Sequence, residues 1–314
     1  MGKSKINIVF ASDDHYAQHA AVAMASVLEH AKYPEQIEFF LLSDRISEMC
    51  SDKLRVTAAN WKSKISIIPV NGESFTDLYV SAQLSRAAYM RLAVTEFLPE
   101  SVDKIIYLDC DLLVRKDIAE LWEFPMNGSA IAAVPDCGIM TSWKSRKQKH
   151  ECIGLEESEQ YFNSGVLVID LSQWRAKGYS KQLLELVREN SYPHHDQDAL
   201  NVFFHHRWTP LPLEWNVIPP VWFMFIKVLF SEWRSKAAAA QQNPAILHYA
   251  GGYKPWEYEI HKGFNDEYYA ILKKTAFSDA KMPQFDARKK QRSIKRQMVR
   301  LKMGNIWGNL FGRK

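Results

Sequence analysis

The sequence has no Cys-x-x-Cys pair and only four cysteines, Cys50, Cys110, Cys137 and Cys152, scattered along 314 residues. That spacing builds neither a zinc ribbon nor a disulfide scaffold, and reduced thiols in a cytoplasmic setting are the expectation. An apolar run long enough to cross a bilayer is also lacking. The longest, VWFMFIKVLF at 221–230, contains Lys227 and falls short of the ~18–20 residues a span requires. MGKSKINIVFASDD, at the start of the chain, has no apolar stretch of signal-peptide length. There are no internal repeats. A strong charge of one sign is missing too: the net charge is +4. The last 29 residues are the exception, with ten Lys/Arg and one acid, so the remaining body is mildly acidic. A nucleic-acid-coating body is thereby excluded, and the tail poses a separate question.

What is present is an alternation of short apolar runs with helical patterns. INIVFA (6–11), IEFFLLS (37–43), KISIIPV (64–70) and KIIYLDCD (104–111) read as strands. Between them, 19–31, 46–61 (opened by a Ser47 cap) and 83–99 (stopped by Pro99) read as helices. SAIAAVPD (129–136) and SGVLVIDL (164–171) are expected as further strands, with a helix at 180–190. The Lys-rich WKSRKQKHECIGLEESEQ between those strands reads as a surface insertion. Strand–helix alternation of this kind predicts an α/β fold: a mixed, mostly parallel sheet flanked by helices.

The informative stretch is KIIYLDCDLLV (104–114). Strand alternation sends Asp109 and Asp111 to one side and Cys110 to the other. Two carboxylates that close repel each other and lose hydration where the strand meets the core, and a divalent cation relieves both costs. The carboxyl ends of strands are also where open α/β sheets bind ligands. A strand-end Asp-x-Asp serves two chemistries, a haloacid-dehalogenase-type phosphatase and a metal-dependent nucleotide-sugar transferase. The phosphatase motif belongs on the first strand and wants Thr or Val two residues after its second Asp. Here the pair lies on the fourth strand and that residue is Leu113. A metal that holds a diphosphate is therefore the expectation.

Six separated motifs then occur in order: FASDDHYA (10–17), SRAAYMRL (85–92), YLDCDLLV, YFNSGVLVIDLSQWR (161–175), DQDALN (196–201) and HYAGGYKPW (248–256). Over roughly residues 5–260 this series resembles glycosyltransferase family 8. That family includes bacterial lipopolysaccharide and lipooligosaccharide galactosyl- and glucosyltransferases and glycogenin. The resemblance implies a GT-A fold and a retaining transfer of galactose or glucose from a UDP-sugar to a glycan acceptor. It implies Mn2+ (with Mg2+ as the substitute) held by Asp109, Asp111 and His248. It places Ala11 and Asp13 on the uracil and ribose, with Tyr16 stacked on the base; His15 stands where the family commonly has Asn. Arg91 is implied at the donor sugar and phosphates, Gly251 and Gly252 at the close approach of backbone to phosphate, and Lys254 at the diphosphate charge. Asn163, Gln197 and Asp198 are implied at the donor sugar. Double displacement would need a carboxylate beneath the anomeric carbon. Gln197 is an amide, so front-face attack is the implied route.

The expected division is a catalytic domain over 1–262, with a nucleotide-sugar half to about 115 and an acceptor half beyond it, and a basic tail over 263–314. Ile294, Met298 and Leu301 recur at helical spacing among Lys/Arg, the pattern of a segment lying on an anionic membrane. A cytoplasmic protein peripheral to the inner face of the cell membrane follows, acting on a lipopolysaccharide-type or lipid-linked glycan, with no nucleic-acid partner. WTPLPLEWN (208–216) either stacks on sugars or packs beneath the sheet. Two other readings stand beside this one. A self-glucosylating glycogenin-like protein would use Tyr258, Tyr268 or Tyr269 as acceptor. A non-catalytic module would bind the nucleotide sugar and stop there.

Overall fold

The computed structural model describes residues 5–70, 87–156, 159–222, 231–252, 254–257 and 264–280. The amphipathic tail pattern, most of the apolar 221–230 run, Tyr258 and the first residues of the helix expected at 83–99 lie outside them. No helix among the described residues is long and apolar enough to cross a membrane.

Seven strands form one sheet in the order β3-β2-β1-β4-β7-β6-β8. They are β1 (Ile6–Asp13), β2 (Ile37–Asp44), β3 (Lys64–Pro69), β4 (Lys104–Leu108), β6 (Ile131–Pro135), β7 (Phe162–Asp170) and β8 (Thr209–Pro210). β7 alone runs against the others, antiparallel to both β4 and β6. A second ribbon pairs β5 (Leu112–Val114) with β9 (Ile246–His248), with Leu112 opposite His248. The mixed, mostly parallel sheet expected from the alternation is the one observed. Its central strands are apolar on both faces because helices cover both, as Ile8, Val9 and Phe10, all fully buried, illustrate, whereas the edge strand β3 is partly exposed.

Topology places the site. From β1 the chain moves outward to β2 and β3, and β4 then joins β1 on the opposite side. The strand order therefore reverses between β1 and β4, which opens a crevice at their carboxyl ends. Because β7 is reversed, its first residues arrive at that same end, where Asp109 N–H donates to Gly165 O at 2.9 Å. The β6–β7 register shifts between Ala133 and Val134, bringing Val134 opposite Asn163 and Pro135 opposite Phe162. Such an irregularity re-aims side chains at a strand end.

The Ala-rich helix Ala17–His30 is buried along almost its whole length. Its small side chains let it sit between the sheet and the helix Phe264–Leu272, where Tyr268, Tyr269 and Leu272 join the same apolar cluster. The Ser47 cap is observed, accepting from Cys50 N–H.

Four expectations change. The helix expected at 83–99 is interrupted: among the described residues it is Ala87–Met90 and Val94–Phe97, with a turn at 91–93 where Arg91 is drawn into the site. The fourth strand ends at Leu108, so both acids stand just beyond it. The Lys-rich insertion is not merely surface: Ser142 caps a helix, Trp143–Ile153, whose Lys149 is 1% exposed. Finally, Leu211, Leu213 and Trp215 belong to the apolar core, so this part of the Trp/Pro-rich segment packs rather than stacking on sugars.

Candidate active site

Asp109, Asp111 and His248 converge, with one ligand atom from each lying within 4.8 Å of the others. His248 Nε2 is 3.2 Å from Asp111 Oδ1 and 3.7 Å from Asp109 Oδ2. His248 Nδ1 lies 2.8 Å from Asn216 Oδ1. An amide oxygen only accepts, so Nδ1 carries a proton toward Asn216, and Nε2 is the ring nitrogen that faces the carboxylates. Cys110, between the acids, is buried, and its thiol meets Ala11 O at 3.4 Å.

Two cationic side chains compensate these acids. Lys254 Nζ pairs with Asp111 Oδ2 and donates to Tyr249 O at 2.8 Å. Burial works against the Asp111 carboxylate, but Lys254 and His248 outweigh it and hold its pKa below the usual carboxylate range. Arg91, itself 6% exposed, bonds Asp109 Oδ1 at 2.8 Å, Asp196 Oδ2 at 3.1 Å and Ser164 O at 2.6 Å. Burial opposes its charge, and the carboxylates of Asp109 and Asp196 more than restore it.

Gly165 shows that space has been kept beside this cluster. A Cβ there would lie 2.3 Å from His248 Cε1 and 2.7 Å from Asp109 Oδ2. Only glycine lets β7 pass so close to the ligand set. Two carboxylate oxygens and an imidazole nitrogen converging within 4.8 Å fit a divalent cation of the Mn2+ or Mg2+ class.

A chain of hydrogen bonds runs from His248 to the other implied residues. Asn216 Nδ2 donates to Asn163 Oδ1 at 2.8 Å, and Asn163 Nδ2 donates to Asp136 Oδ2 at 3.2 Å. Gln197 Nε2 reaches the same Asp136 oxygen at 3.4 Å and Tyr161 OH at 3.1 Å, while its Oε1 accepts from Ser164 N–H at 3.0 Å. Asp196 also accepts from Ser164 Oγ at 3.2 Å. Burial raises the Asp196 pKa to about 6 even beside Arg91, whose guanidinium it shares with Asp109. Asp198 is fully buried. It pairs with Lys149 Nζ and accepts from Tyr161 OH at 2.6 Å and His194 N–H at 2.8 Å.

At the end of β1, Ala11 is buried and Asp13 half-buried, with Asp13 Oδ1 accepting from Tyr16 N–H at 3.0 Å. Asp14 instead holds Ser47 through that residue's N–H and hydroxyl, both at 2.8 Å. Tyr16 is 38% exposed and stands edge-on to Trp256, which stacks on His19 at 3.5 Å. Gly251 adopts φ +78°, the left-handed region, and neither it nor Gly252 has an atom within 4 Å of an added Cβ. Lys254 thus meets the Asp pair directly, an ion pair the motif alone did not announce. The motifs also left unread Lys149, Asp136, Tyr161, Ser164, Gly165 and Asn216. Only Gly165, a glycine inside an apolar strand pattern, carried a local signal.

The fold and these polar groups define a GT-A-like α/β protein with its polar site at the switch point of the sheet. Residues 7–259 match the Glycosyl transferase family 8 model, and the chain belongs to that family. It is 27% identical over 284 residues to General stress protein A of Bacillus subtilis (strain 168), spanning 88% of this chain and 97% of that protein. It is 27% identical over 259 residues to the lipopolysaccharide 1,2-glucosyltransferase of Escherichia coli (strain K12), spanning 80% of this chain and 72% of that one. Among solved structures, the galactosyltransferase LgtC in complex with donor and acceptor sugar analogues superposes with a TM-score of 0.73 at 26% identity. That superposition covers 89% of this chain and 98% of LgtC.

Proposed function

We propose that the protein is a retaining hexosyltransferase that moves galactose or glucose from a UDP-sugar to a glycan acceptor of the lipopolysaccharide or lipid-linked type. The observation that carries this reading is the convergence of Asp109, Asp111 and His248 around the space kept open by Gly165. When bound there, Mn2+ (or Mg2+) would supply Lewis-acid stabilisation of charge on the departing diphosphate. Lys254 pairs with Asp111 Oδ2, which leaves Oδ1 facing His248, and its charge would add to that of the ion at the phosphates. Ala11, Asp13 and Tyr16 border the crevice on the β1 side and are assigned to the uridine.

On the sugar side, Gln197 is flanked by two acids whose charges are already committed, Asp196 to Arg91 and Asp198 to Lys149. A carboxylate tied to a buried cation is a weak nucleophile, and an amide is weaker still. Gln197, Asn163 and Asp198 therefore act by positioning. Gln197 and Asn163 orient the hexose, and Asp198 fixes Tyr161 and the helix start. The acceptor hydroxyl enters on the face the diphosphate leaves, and a leaving phosphate oxygen takes its proton. Tyr268 and Tyr269 are buried in the core, which disfavours them as self-glucosylation acceptors. The tail pattern supports membrane association at the inner face of the cell membrane; equal pelleting of full-length protein and a 1–285 truncation with anionic liposomes would end that part of the proposal. The activity itself is tested by incubation with UDP-galactose, UDP-glucose and UDP-N-acetylglucosamine, with and without Mn2+. One hexose donor should be consumed only with the metal. Consumption of none would leave the non-catalytic binding reading in its place.

A further inference from the structure

Away from the donor site, the described residues hold one other cluster with the donor set of a metal centre: Glu159, His205 and His206, whose ligand atoms lie within 4.8 Å of one another. Glu159 stands just before β7, and its side chain is 3% exposed, whereas those of His205 and His206 are 44% and 70% exposed. Both imidazole Nε2 atoms contact the same carboxylate oxygen, Glu159 Oε1, that of His206 at 2.7 Å. The other oxygen, Oε2, is occupied by Glu156 N–H at 2.8 Å, which fixes the carboxylate with Oε1 toward the rings. The two rings stack at 4.1 Å. His206 takes φ +55° to reach this position. A non-glycine residue in that region is uncommon, and such backbone persists where surrounding contacts over-determine it, often at ligand clamps.

Two imidazole Nε2 atoms thus converge on one face of a buried, fixed carboxylate, the arrangement in which all three groups can offer a lone pair to one ion. We propose that Glu159, His205 and His206 form a second metal site, for a transition-metal dication of the zinc class. Two imidazoles and one carboxylate are a nitrogen-rich donor set that suits Zn2+ over the oxygen-preferring Mg2+ and Ca2+. Both rings would offer their Nε2 lone pairs and keep their protons on Nδ1, and their exposure leaves the outer side of the ion to water. The site's location gives it a purpose. Glu159 leads into Tyr161 and Asn163, while His205 and His206 follow the helix His195–Phe203 that carries Gln197 and Asp198. The ion would tie together the two segments whose hydrogen bonds meet at Gln197. It is a structural clip, with no part in bond making.

The full chain, stripped with chelator, is titrated with Zn2+ by calorimetry and with Co2+ by visible absorption. Wild type should bind one Zn2+ at this site and show the intense absorption of four-coordinate Co2+. The doubly substituted His205→Gln/His206→Gln protein should lose that ion and that spectrum, as should Glu159→Gln, while Asp111→Asn keeps both. Zn2+ should also raise the unfolding temperature of wild type more than that of the double variant. The His substitutions change exposed side chains and Glu159→Gln is isosteric, so the variants remain folded for the comparison. A double variant that keeps the wild-type stoichiometry and spectrum would overturn the proposal. So would a wild type whose only Zn2+ site disappears in Asp111→Asn, or one that binds no Zn2+.

Discussion

The molecule uses the tripeptide Asp-x-Asp twice, and the two copies behave differently. At residues 109–111 it follows strand β4, and at 196–198 it opens the helix His195–Phe203. At the strand end both acids approach one imidazole, at 3.2 and 3.7 Å, and the middle residue, Cys110, turns into the core. On the helix, each residue rotates by about 100°, so the acids diverge. Asp196 goes to Arg91 and Asp198 to Lys149, while the middle residue, Gln197, takes the central place between Ser164, Tyr161 and Asp136. The same spacing thus brings two acids to one imidazole in one backbone and holds an amide between two neutralised acids in the other. Backbone geometry, rather than composition, decides which residue of the three stands at the centre of the polar network.

The largest effect that breaks this comparison comes from the helical copy. Lys149→Met leaves the fully buried Asp198 carboxylate without its cation and should cost about 3–5 kcal/mol in urea unfolding. Adding Asp198→Asn should recover most of it. Next comes the strand-end copy: Asp111→Asn should lower metal-dependent transfer on the order of a hundredfold or more, a loss of activity that Asp198→Asn combined with Lys149→Met should not reproduce through the metal. Metal dependence is the readout that separates the two: it should change in Asp111→Asn and not in Lys149→Met. A smaller effect is expected at Asn216, which sets the His248 tautomer. Asn216→Ala should weaken Mn2+ binding by about 10–100-fold, read by Mn2+ titration rather than by turnover.

The smallest effect concerns pH. Asp196 has a folded-state pKa raised to about 6, against an unfolded value near 3.8. The folded protein therefore binds the extra proton, and the stability this contributes is present below about pH 4 and lost as pH rises through 6. Relative to Asp196→Asn, metal-free wild type should lose about 2 kcal/mol between pH 4 and 7. A flat difference between the two proteins across that range would show that Arg91 keeps Asp196 ionised throughout.

Most of the sheet was legible because its strands are short apolar runs between helical patterns, and the strand-end acids were legible because IIYL precedes them. The reversed β7 was not, since SGVLVIDL reads the same in either direction; its pairing with β4 decides the matter. Arg91 was found through its motif, but its break in the helix was not, because that break depends on Ser164 O and two distant carboxylates. Lys149 lay hidden in a run of Lys and Arg that looks solvated, and only Asp198, Tyr161 and His194 closing around it make it a buried partner. Asn216 and Asp136 carry no local pattern. They matter because the chain brings them between His248 and Gln197.

The central claim is that the strand-end acids hold the metal and nucleotide while the helical Gln197 positions the sugar. Mn2+-dependent affinity for UDP, measured by calorimetry on wild type, Asp111→Asn and Gln197→Ala, tests it most directly. The account predicts that Asp111→Asn loses the Mn2+-dependent part of UDP binding and that Gln197→Ala retains it while turning over more slowly. Mn2+-dependent UDP affinity that survives in Asp111→Asn, or falls equally in Gln197→Ala, would contradict it.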